Sequence, residues 1–310
     1  MPRSVALAVD FGGTKVEAAL VDDAGALVPG TRFRQPTGAL RSSSELAASV
    51  DAVLAATLAH VPDGVSLAGV GIGAAGPIVE DAGWVSPLNL PVWRDYPLRD
   101  QVAAAVPGLP VVLRMDGLCI TLAEHWVGAA QGCQNVMGMV VSTGIGGGLI
   151  LGGHTASGPT GNAGHIGHVE VAGFDDVCAC GGIGCVEAIA SGPKTVAWAQ
   201  EHGWVGATGE DLGASYRSGN PIARAAVERS GRAIGQAIAS ATALVDLELV
   251  AIGGGFSRVT PDLFEHIRTA IATRHEFGFV TKVRVVPSAL SSEGPLIGAG
   301  ALVHRGQLVV

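Results

Sequence analysis

The stretch Val5-Ala-Leu-Ala-Val9-Asp10-Phe-Gly-Gly-Thr14 decides the fold of this chain. Its apolar run predicts a buried strand, and the paired glycines predict a tight turn, because glycine adopts backbone conformations that are strained for other residues. Val16–Val21 then returns as a second strand. The same order of strand, glycine-rich turn and strand recurs over Val136–Leu151. This repeat predicts two lobes built on the same plan.

The rest of the chain alternates predicted helices and strands, which is typical of an α/β fold. Apolar residues at helical spacing predict helices over Ser43–His60 and Gly117–Ala130. A long helix is predicted over about Pro221–Leu244, and a final helix of small residues over Gly294–Val303. Short apolar runs predict buried strands at Leu67–Ile72, Val111–Leu113 and Leu249–Ile252. The predicted fold class is therefore α/β, with mixed sheets flanked by helices.

The composition suits such a fold and argues against two kinds of partner. The chain has 310 residues, 48% of them hydrophobic and only 15% charged, and a chain of this length favours two domains. A net charge of −8 without a Lys/Arg cluster argues against a nucleic-acid surface. Ser4–Val9 is too short for a signal peptide, and the polar residues and clustered glycines of Cys133–Gly153 argue against a transmembrane helix. We expect a cytoplasmic protein that binds no membrane.

Three cysteines lie close together in Cys178-Ala-Cys180-Gly-Gly-Ile-Gly-Cys185, ten residues after His168. Thiolates at this spacing can surround one face of a tetrahedral ion, and His168 would supply a fourth ligand. A closed Cys3His site of this kind is structural, because no position is left for water, and a zinc-dependent hydrolase is therefore excluded. Ordinary thiols, or a disulfide with one spare cysteine, are the alternatives. A reducing cytoplasm favours the metal.

Three glycine-rich turns follow predicted strands, and such turns expose N–H groups that can hold phosphate oxygens. The turns are Gly12-Gly13, Gly144–Gly148 and Gly253–Gly255. The first two have adjacent hydroxyls, on Thr14 and Thr143. One such turn is common in plain hairpins, but three together predict a nucleotide-phosphate site.

Charged residues stand beside the predicted turns. Asp10 ends its strand, where it could hold Mg²⁺ directly or through water. Lys15 could reach a phosphate or lie solvated on the surface. Asp116 follows a buried strand and precedes a predicted helix, which places it at the carboxyl edge of a sheet, where ligands bind. Its position fits a catalytic base and a helix N-cap equally well.

Five motifs occur in order along almost the whole chain, and together they resemble the ROK family of sugar kinases and repressors. They are Asp10–Lys15, Gly71–Pro77, Ser142–Gly148, Gly164–His168 and Cys178–Glu187. The resemblance implies the two-lobed actin-like ATPase (ribonuclease H-like) fold, closing over ATP and a hexose. It also implies that the final helix packs back onto the first lobe, so that residues 1–115 with about 295–310 form one lobe and 116–294 the other. Many family members are dimers or tetramers, and a homodimer or homotetramer is expected here.

The resemblance further implies roles for individual residues, with ATP, Mg²⁺ and structural Zn²⁺ as cofactors. Asp116 is expected to be the general base that takes the proton from the attacking sugar hydroxyl. His168 is expected to bind zinc through one ring nitrogen and the sugar through the other, beside Cys178, Cys180 and Cys185. The residues expected to contact sugar are Gly76, Asn89, Asp116, His165, His168 and Glu187. Those expected to bind the nucleotide are Asp10, Gly12, Gly13, Thr14, Lys15, Thr143, Gly144 and Gly254.

Two positions depart from the family pattern. Met115 stands where Asn is usual before the base, and His165 replaces a glutamate, although some glucokinase-like members also have His there. His165 has the spacing to be a zinc ligand instead, but His168 matches the family position. Phosphorylation of glucose at its 6-hydroxyl is therefore the first expectation. An N-acetylhexosamine kinase acting on ManNAc or GlcNAc, or a catalytically weak sugar sensor, remain alternatives. Only nine residues precede Asp10, which argues against the DNA-binding helix-turn-helix of the repressors.

Overall fold

The predicted opening hairpin is present in the computed structural model, which describes residues 4–273, 276–290 and 292–310. Its first strand spans Ser4–Phe11 and its second Lys15–Asp22. The two pair antiparallel, with Val5 opposite Asp22 and Phe11 opposite Val16. The glycine turn between them closes with a hydrogen bond of 2.9 Å from Gly12 N–H to the Lys15 carbonyl.

The strands of the described residues, numbered in chain order, are short and mostly buried. They are β1 (Ser4–Phe11), β2 (Lys15–Asp22), β3 (Phe33–Pro36), β4 (Ser66–Ala74), β5 (Ile78–Val79), β6 (Trp84–Val85), β7 (Val111–Met115), β8 (Val136–Val141), β9 (Ile145–Leu151), β10 (His154–Thr155), β11 (Leu249–Gly253) and β12 (Arg284–Pro287).

The helices of the same residues lie between and after these strands. They are α1 (Ser43–Leu58), α2 (Leu98–Ala105), α3 (Asp116–Val127), α4 (Val186–Ala190), α5 (Gly192–Glu201), α6 (Gly209–Arg217), α7 (Pro221–Val245), α8 (Asp262–Ala272), α9 (Gly278–Thr281) and α10 (Gly294–His304). Short 3₁₀ turns occur at Ile166–His168, Phe256–Arg258 and Gly306–Leu308.

Two five-stranded sheets repeat the same arrangement, and a two-stranded sheet of β5 and β6 stands apart. The first runs in the order β3-β2-β1-β4-β7 and the second in the order β10-β9-β8-β11-β12. In each, the first two pairings are antiparallel and the last two are parallel. The repeat seen in the sequence is therefore a structural repeat, and the predicted α/β class with mixed sheets is confirmed.

Helices α3 and α10 pack against each other in a core that takes side chains from both sheets, including Ala8 of β1 and Ala251 of β11. Glycine makes this approach possible, because a Cβ on Gly298 of α10 would overlap the backbone carbonyl of Cys119 in α3. A Cβ on Gly71 of β4 would likewise overlap the carbonyl of Ala299. The last helix thus lies on the first sheet. The exact lobe boundaries stay a prediction.

Two expectations about single segments have clear outcomes. The uncharged stretch 133–153 forms β8, β9 and the turn between them instead of a helix. Among the described residues, we find no helix with the length and apolar character that crossing a membrane requires. The helix after β7 begins at Asp116, with Met115 in the N-cap position, so the N-cap interpretation of Asp116 is wrong.

Candidate active site

The carboxyl ends of β1, β4 and β7 bring two carboxylates to one edge of the first sheet. These strands are parallel, with Asp10 opposite Gly73 and Gly73 opposite Arg114. Asp116 follows Arg114 by two residues and begins α3. This is the edge at which open α/β sheets bind ligands. The predicted magnesium ligand and the predicted base therefore lie at the same edge of the sheet.

Both carboxyl groups have raised pKa values. Burial, and then the nearby Asp116 carboxylate, raises the pKa of Asp10 to about 7. Burial also raises the pKa of Asp116 to about 6, opposed by a hydrogen bond from Gly117 N–H (2.7 Å) and assisted by the Glu187 carboxylate. At neutral pH Asp116 is therefore mostly a carboxylate, yet basic enough to accept a proton. The repulsion around Asp10 favours a bound cation.

The second glycine turn packs directly against the start of α3. A Cβ on Gly117 would overlap the backbone of Gly147, and a Cβ on Gly146 would lie 3.9 Å from Asp116 Oδ1. Glycines in this turn therefore allow the β8–β9 hairpin to approach the catalytic candidate closely. The turn was predicted to hold phosphate, and the structure brings it next to Asp116.

Lys15 contacts a carboxylate that the sequence analysis did not single out. Its ammonium group pairs with Glu17, whose side chain is only 2% exposed. Arg32 and Arg34 bind the same carboxylate, at 3.1 and 2.8 Å. Although burial opposes them, these three cations hold the pKa of Glu17 below its ordinary value. Glu17 is the cross-strand partner of Asp10, so the cluster lies beside the first glycine turn.

Asn89 lies against the same glycine turn. A Cβ on Gly13 would overlap the Asn89 carboxamide, so this close approach requires glycine. Asn89 and Thr14 are both exposed here, and the Thr14 carbonyl accepts a hydrogen bond from Thr37 N–H at 3.0 Å. A predicted sugar contact is thus adjacent to a predicted phosphate contact.

His165, Gly76 and Met115 meet beside this edge. A Cβ on Gly76 would lie 2.8 Å from His165 Nε2 and 3.1 Å from Met115 Sδ. Nε2 is buried and has no hydrogen-bond partner in the structure. Burial, and then the neighbouring His168, lowers the pKa of His165, so its ring is neutral at pH 7. A buried polar atom without a partner is uncommon and costly. The two residues that depart from the family pattern are therefore in one place.

The four predicted zinc ligands converge. The ligand atoms of His168, Cys178, Cys180 and Cys185 all lie within 4.8 Å of one another. Cys180 Sγ and Cys185 Sγ are 3.7 Å apart, and Cys178 Sγ is 3.7 Å from His168 Nδ1. Tetrahedral zinc with bonds of about 2.3 Å to sulfur requires sulfur atoms roughly 3.8 Å apart. All of these cysteines are free thiols, so the disulfide alternative is wrong. The His165 ring is outside this group.

Glu187 connects the cysteine loop to the second glycine turn. It follows Cys185 by two residues, and its Oε2 accepts a hydrogen bond of 2.7 Å from Ile145 N–H. A Cβ on Gly144 would lie 2.6 Å from the same oxygen. The Glu187 carboxylate also raises the pKa of Asp116, so its charge acts on the candidate base.

Thr143 opens onto a cavity of about 690 Å³, which is large enough for a nucleotide. The other residues that line this cavity come from the end of β8, from the segments around α5 and α6, and from the third glycine turn: Ser142, Gly192, Pro193, Val196, Gln200, Ala207, Thr208, Gly209, Glu210, Arg217, Gly255, Phe256, Arg258 and Val259. Gly254 lines a neighbouring cavity of about 440 Å³, which shares Arg258. Apart from the glycine turns, the sequence contains no signal for this cavity, because the helices that form it carry no local motif.

Comparison with known proteins agrees with this arrangement. The model of the ROK family matches residues 6–306. N-acetylmannosamine kinase of Yersinia pseudotuberculosis is 32% identical over 97% of this chain and 99% of its own length. Glucokinase of Thermotoga maritima is 30% identical over 98% and 99%. A crystal structure of a ROK family glucokinase from Streptomyces griseus, in complex with glucose and AMPPNP, has 29% identity and a TM-score of 0.83, and covers 98% of this chain and 100% of the other.

The two sheets have the same strand order, and a glycine turn of the second lies against a pair of carboxylates at the edge of the first. This arrangement and the similar solved structures define a protein of the actin-like ATPase fold. The family match covers nearly all of the chain. This protein belongs to the ROK family.

Proposed function

We propose that this protein transfers the γ-phosphoryl group of ATP to a hexose, with glucose and its 6-hydroxyl as the first candidate. The observation that carries the proposal is the position of Asp116. The half-buried Asp116 has a pKa of about 6 and lies next to the glycine turn at Gly146, at the sheet edge that also holds Asp10. This arrangement suits a base that must accept one proton beside a phosphate.

Asp116 would take the proton of the attacking hydroxyl as that oxygen approaches the γ-phosphorus. Phosphoryl transfer depends mainly on positioning and charge neutralisation, so a carboxylate is basic enough. The backbone N–H groups of Gly13 and Gly144 in the two turns would hold phosphate oxygens, with the hydroxyls of Thr14 and Thr143 as additional donors. The Gly12 N–H already closes its own turn on the Lys15 carbonyl, so Gly12 would contribute by letting the turn approach the phosphate. The cavity beside Thr143 would hold the nucleoside.

A divalent cation fits beside Asp10. This carboxylate is buried, faces a second carboxylate, and has a pKa of about 7, so it gains stability from a positive charge. Mg²⁺ prefers one or two carboxylates together with phosphate oxygens. When bound, it would neutralise charge on the phosphates. Lys15 could assist only by leaving the Glu17 carboxylate that it contacts here.

Zinc fits the Cys3His group because the four ligand atoms converge, and the Cys180–Cys185 and Cys178–His168 separations of 3.7 Å are near those of tetrahedral coordination. The ion would order the loop and the His168 ring without taking part in the reaction. His168 would bind it through Nδ1, since that atom faces Cys178. The second ring nitrogen would then be available to a sugar hydroxyl, beside His165, Asn89, Glu187 and the Gly76 backbone.

N-acetylmannosamine is the second candidate acceptor, because the relative at 32% identity is an N-acetylmannosamine kinase. Met115 and His165 bear on this choice, since they replace the amide and the carboxylate usual in the family. A site built to hydrogen-bond one group of its substrate rejects an analogue that lacks this group, because the buried polar atom of the site is then left unpaired. The Nε2 of His165 is buried without a hydrogen-bond partner, so it would be available to a group of the bound sugar.

The test is ADP release measured by a coupled assay with glucose, N-acetylmannosamine and N-acetylglucosamine. Asp116→Asn is the control and should lower kcat by about 10²- to 10⁴-fold. If no sugar raises ATP turnover above that of the control protein, the proposed function is wrong. A kcat/KM for N-acetylmannosamine above that for glucose would favour the second candidate.

A further inference from the structure

Asn162 joins the two halves of the chain beside the candidate sugar site. Its Oδ1 accepts a hydrogen bond from Ile78 N–H at 2.9 Å, and its Nδ2 donates to the Ile78 carbonyl at 2.8 Å. Ile78 is buried in the core of the first sheet, whereas Asn162 lies in the loop between β10 and His165. Both backbone groups of one residue are therefore satisfied by one side chain 84 residues away.

Ile78 needs such a partner because of its place in the β5–β6 hairpin. The hairpin bonds go from Ser86 N–H to the Pro77 carbonyl and from Gly83 N–H to the Val79 carbonyl. The N–H and C=O of Ile78 point to the opposite edge, where a strand would otherwise expose unpaired groups. The Asn162 carboxamide closes that edge as a neighbouring strand would.

The same hairpin is also held by the first sheet and packs tightly against the Asn162 loop. Arg114 at the end of β7 forms an ion pair with Glu80 at 2.9 Å, and both side chains are largely buried. A Cβ on Gly161 would lie 2.9 Å from Glu80 Cβ and 3.2 Å from Ile78 Cδ1. Gly161, at a φ of +83°, therefore lets the loop lie flat on the hairpin.

The contact between Ile78 and Asn162 lies next to residues that are expected to bind the sugar. Gly76 precedes Ile78 by two residues, and His165 follows Asn162 by three. A Cβ on Gly76 would lie 2.8 Å from His165 Nε2, so the Gly76 backbone and the His165 ring pack closely against each other. A residue that holds Ile78 against the loop also sets the distance between the Gly76 backbone and the His165 ring.

We propose that Asn162 is a positioning residue of the acceptor site. It holds the β5–β6 hairpin onto the loop before His165, and thereby places the Gly76 backbone and His165 for the sugar. We call the two hydrogen bonds between Asn162 and the Ile78 backbone the clamp. The role of Asn162 in sugar binding rests on the proposed kinase function, whereas the clamp does not. Asn162 is not among the residues expected to bind the nucleotide or zinc.

The experiment compares Asn162→Ala and Asn162→Asp with the wild-type protein. The rate of hydrogen exchange at the Ile78 amide measures the clamp directly and does not require enzymatic activity. Steady-state kinetics measure the KM for sugar and the KM for ATP separately. Loss of both bonds in Asn162→Ala should speed exchange at Ile78 about tenfold or more, and raise the sugar KM roughly tenfold with the ATP KM unchanged. Asn162→Asp keeps an acceptor for Ile78 N–H, so we expect its exchange rate to lie between those of the wild type and Asn162→Ala. If Asn162→Ala does not fold, Asn162→Asp alone tests the proposal.

Asn220→Ala is the matched control, because Asn220 caps α7 and contacts neither Ile78 nor the sugar edge. It should lower the melting temperature without changing Ile78 exchange or the sugar KM. Wild-type exchange at Ile78 in both Asn162 variants would overturn the clamp. Fast exchange with an unchanged sugar KM, or an equal rise in both KM values, would overturn the positioning role. If the wild-type protein phosphorylates no sugar, the proposed function and the positioning role fail together, while the exchange data still decide on the clamp.

Discussion

Glu187 Oε2 and the backbone N–H of Ile145 are joined by a hydrogen bond of 2.7 Å, which fastens the exit of the cysteine loop to the second glycine turn. The predicted sugar and phosphate halves of the site therefore share one carboxylate. The same carboxylate raises the pKa of Asp116. A metal that orders the cysteine loop would act on the candidate base through this residue.

Removing the charge of Glu187 should change the pH dependence of the reaction. Glu187→Gln keeps an acceptor for Ile145 N–H but no longer opposes ionisation of Asp116, so the pKa of Asp116 should fall. The acidic limb of kcat/KM against pH should then move to lower pH, even if the sugar KM rises. Glu187→Ala, which also removes the hydrogen bond, serves as comparison. An acidic limb at the wild-type position in Glu187→Gln would contradict the coupling.

Asp10 should reduce stability at neutral and alkaline pH. Its pKa is raised from 3.8 to about 7 on folding, so the folded state binds this proton more tightly than the unfolded state. The resulting cost is absent below about pH 4, grows as the pH rises, and is complete above about pH 7. Asp10→Asn should therefore raise the melting temperature of metal-free protein at pH 8 and leave it nearly unchanged at pH 4. Thermal unfolding at both pH values checks this.

Asp175→Asn is a suitable control for that measurement, because Asp175 is exposed. It should change the melting temperature little at either pH. If Asp10→Asn shifts the melting temperature equally at pH 4 and pH 8, burial of the ionised Asp10 carboxylate does not cost stability. We also expect Asp10→Asn to lose kinase activity, as stability gained at a functional site commonly costs function.

Zinc content should depend on the cysteine loop. Cys178→Ser should lower bound zinc from about one ion per chain and reduce the melting temperature, because a structural site contributes folding free energy. Metal analysis of the purified protein and thermal unfolding measure the two effects. Cys133→Ala changes a cysteine outside the ligand group and should keep its zinc. Full zinc in Cys178→Ser would remove Cys178 from the ligand set.

The crossing of α3 and α10 should not tolerate a methyl group at Gly298. A Cβ there would overlap the Cys119 backbone, which cannot move aside as a flexible side chain would. Gly298→Ala should therefore lower the free energy of unfolding by about 1–3 kcal/mol or more, and lower kcat because α3 begins at Asp116. Urea unfolding gives the first value. Gly278→Ala has open space around its Cβ and should be neutral or slightly stabilising. Equal stability of the two variants would show that the helices can separate without cost.

The fold was largely predictable because its signals are local. An apolar run, two glycines and a second apolar run specify a hairpin through strand period and backbone freedom, and this pattern occurs twice. The two hairpins became the centres of two sheets with the same strand order. Element ends were less predictable, as with Asp116, which was expected before a helix and is its first residue.

The sequence by itself determined the repeated hairpin, the family and the set of four candidate zinc ligands, since each depends on residue type and spacing along the chain. Only the tertiary structure decided that Glu187 bonds Ile145, that Asn162 closes the edge at Ile78, and that His165 Nε2 lies buried against Gly76. The physical reason is that the side chains of Glu187 and Asn162 bond to backbone groups, and that His165 comes close to a glycine without forming any hydrogen bond. Every residue carries the same backbone groups, so such a partner leaves no mark in the sequence and is selected only when the packed sheets bring distant loops together.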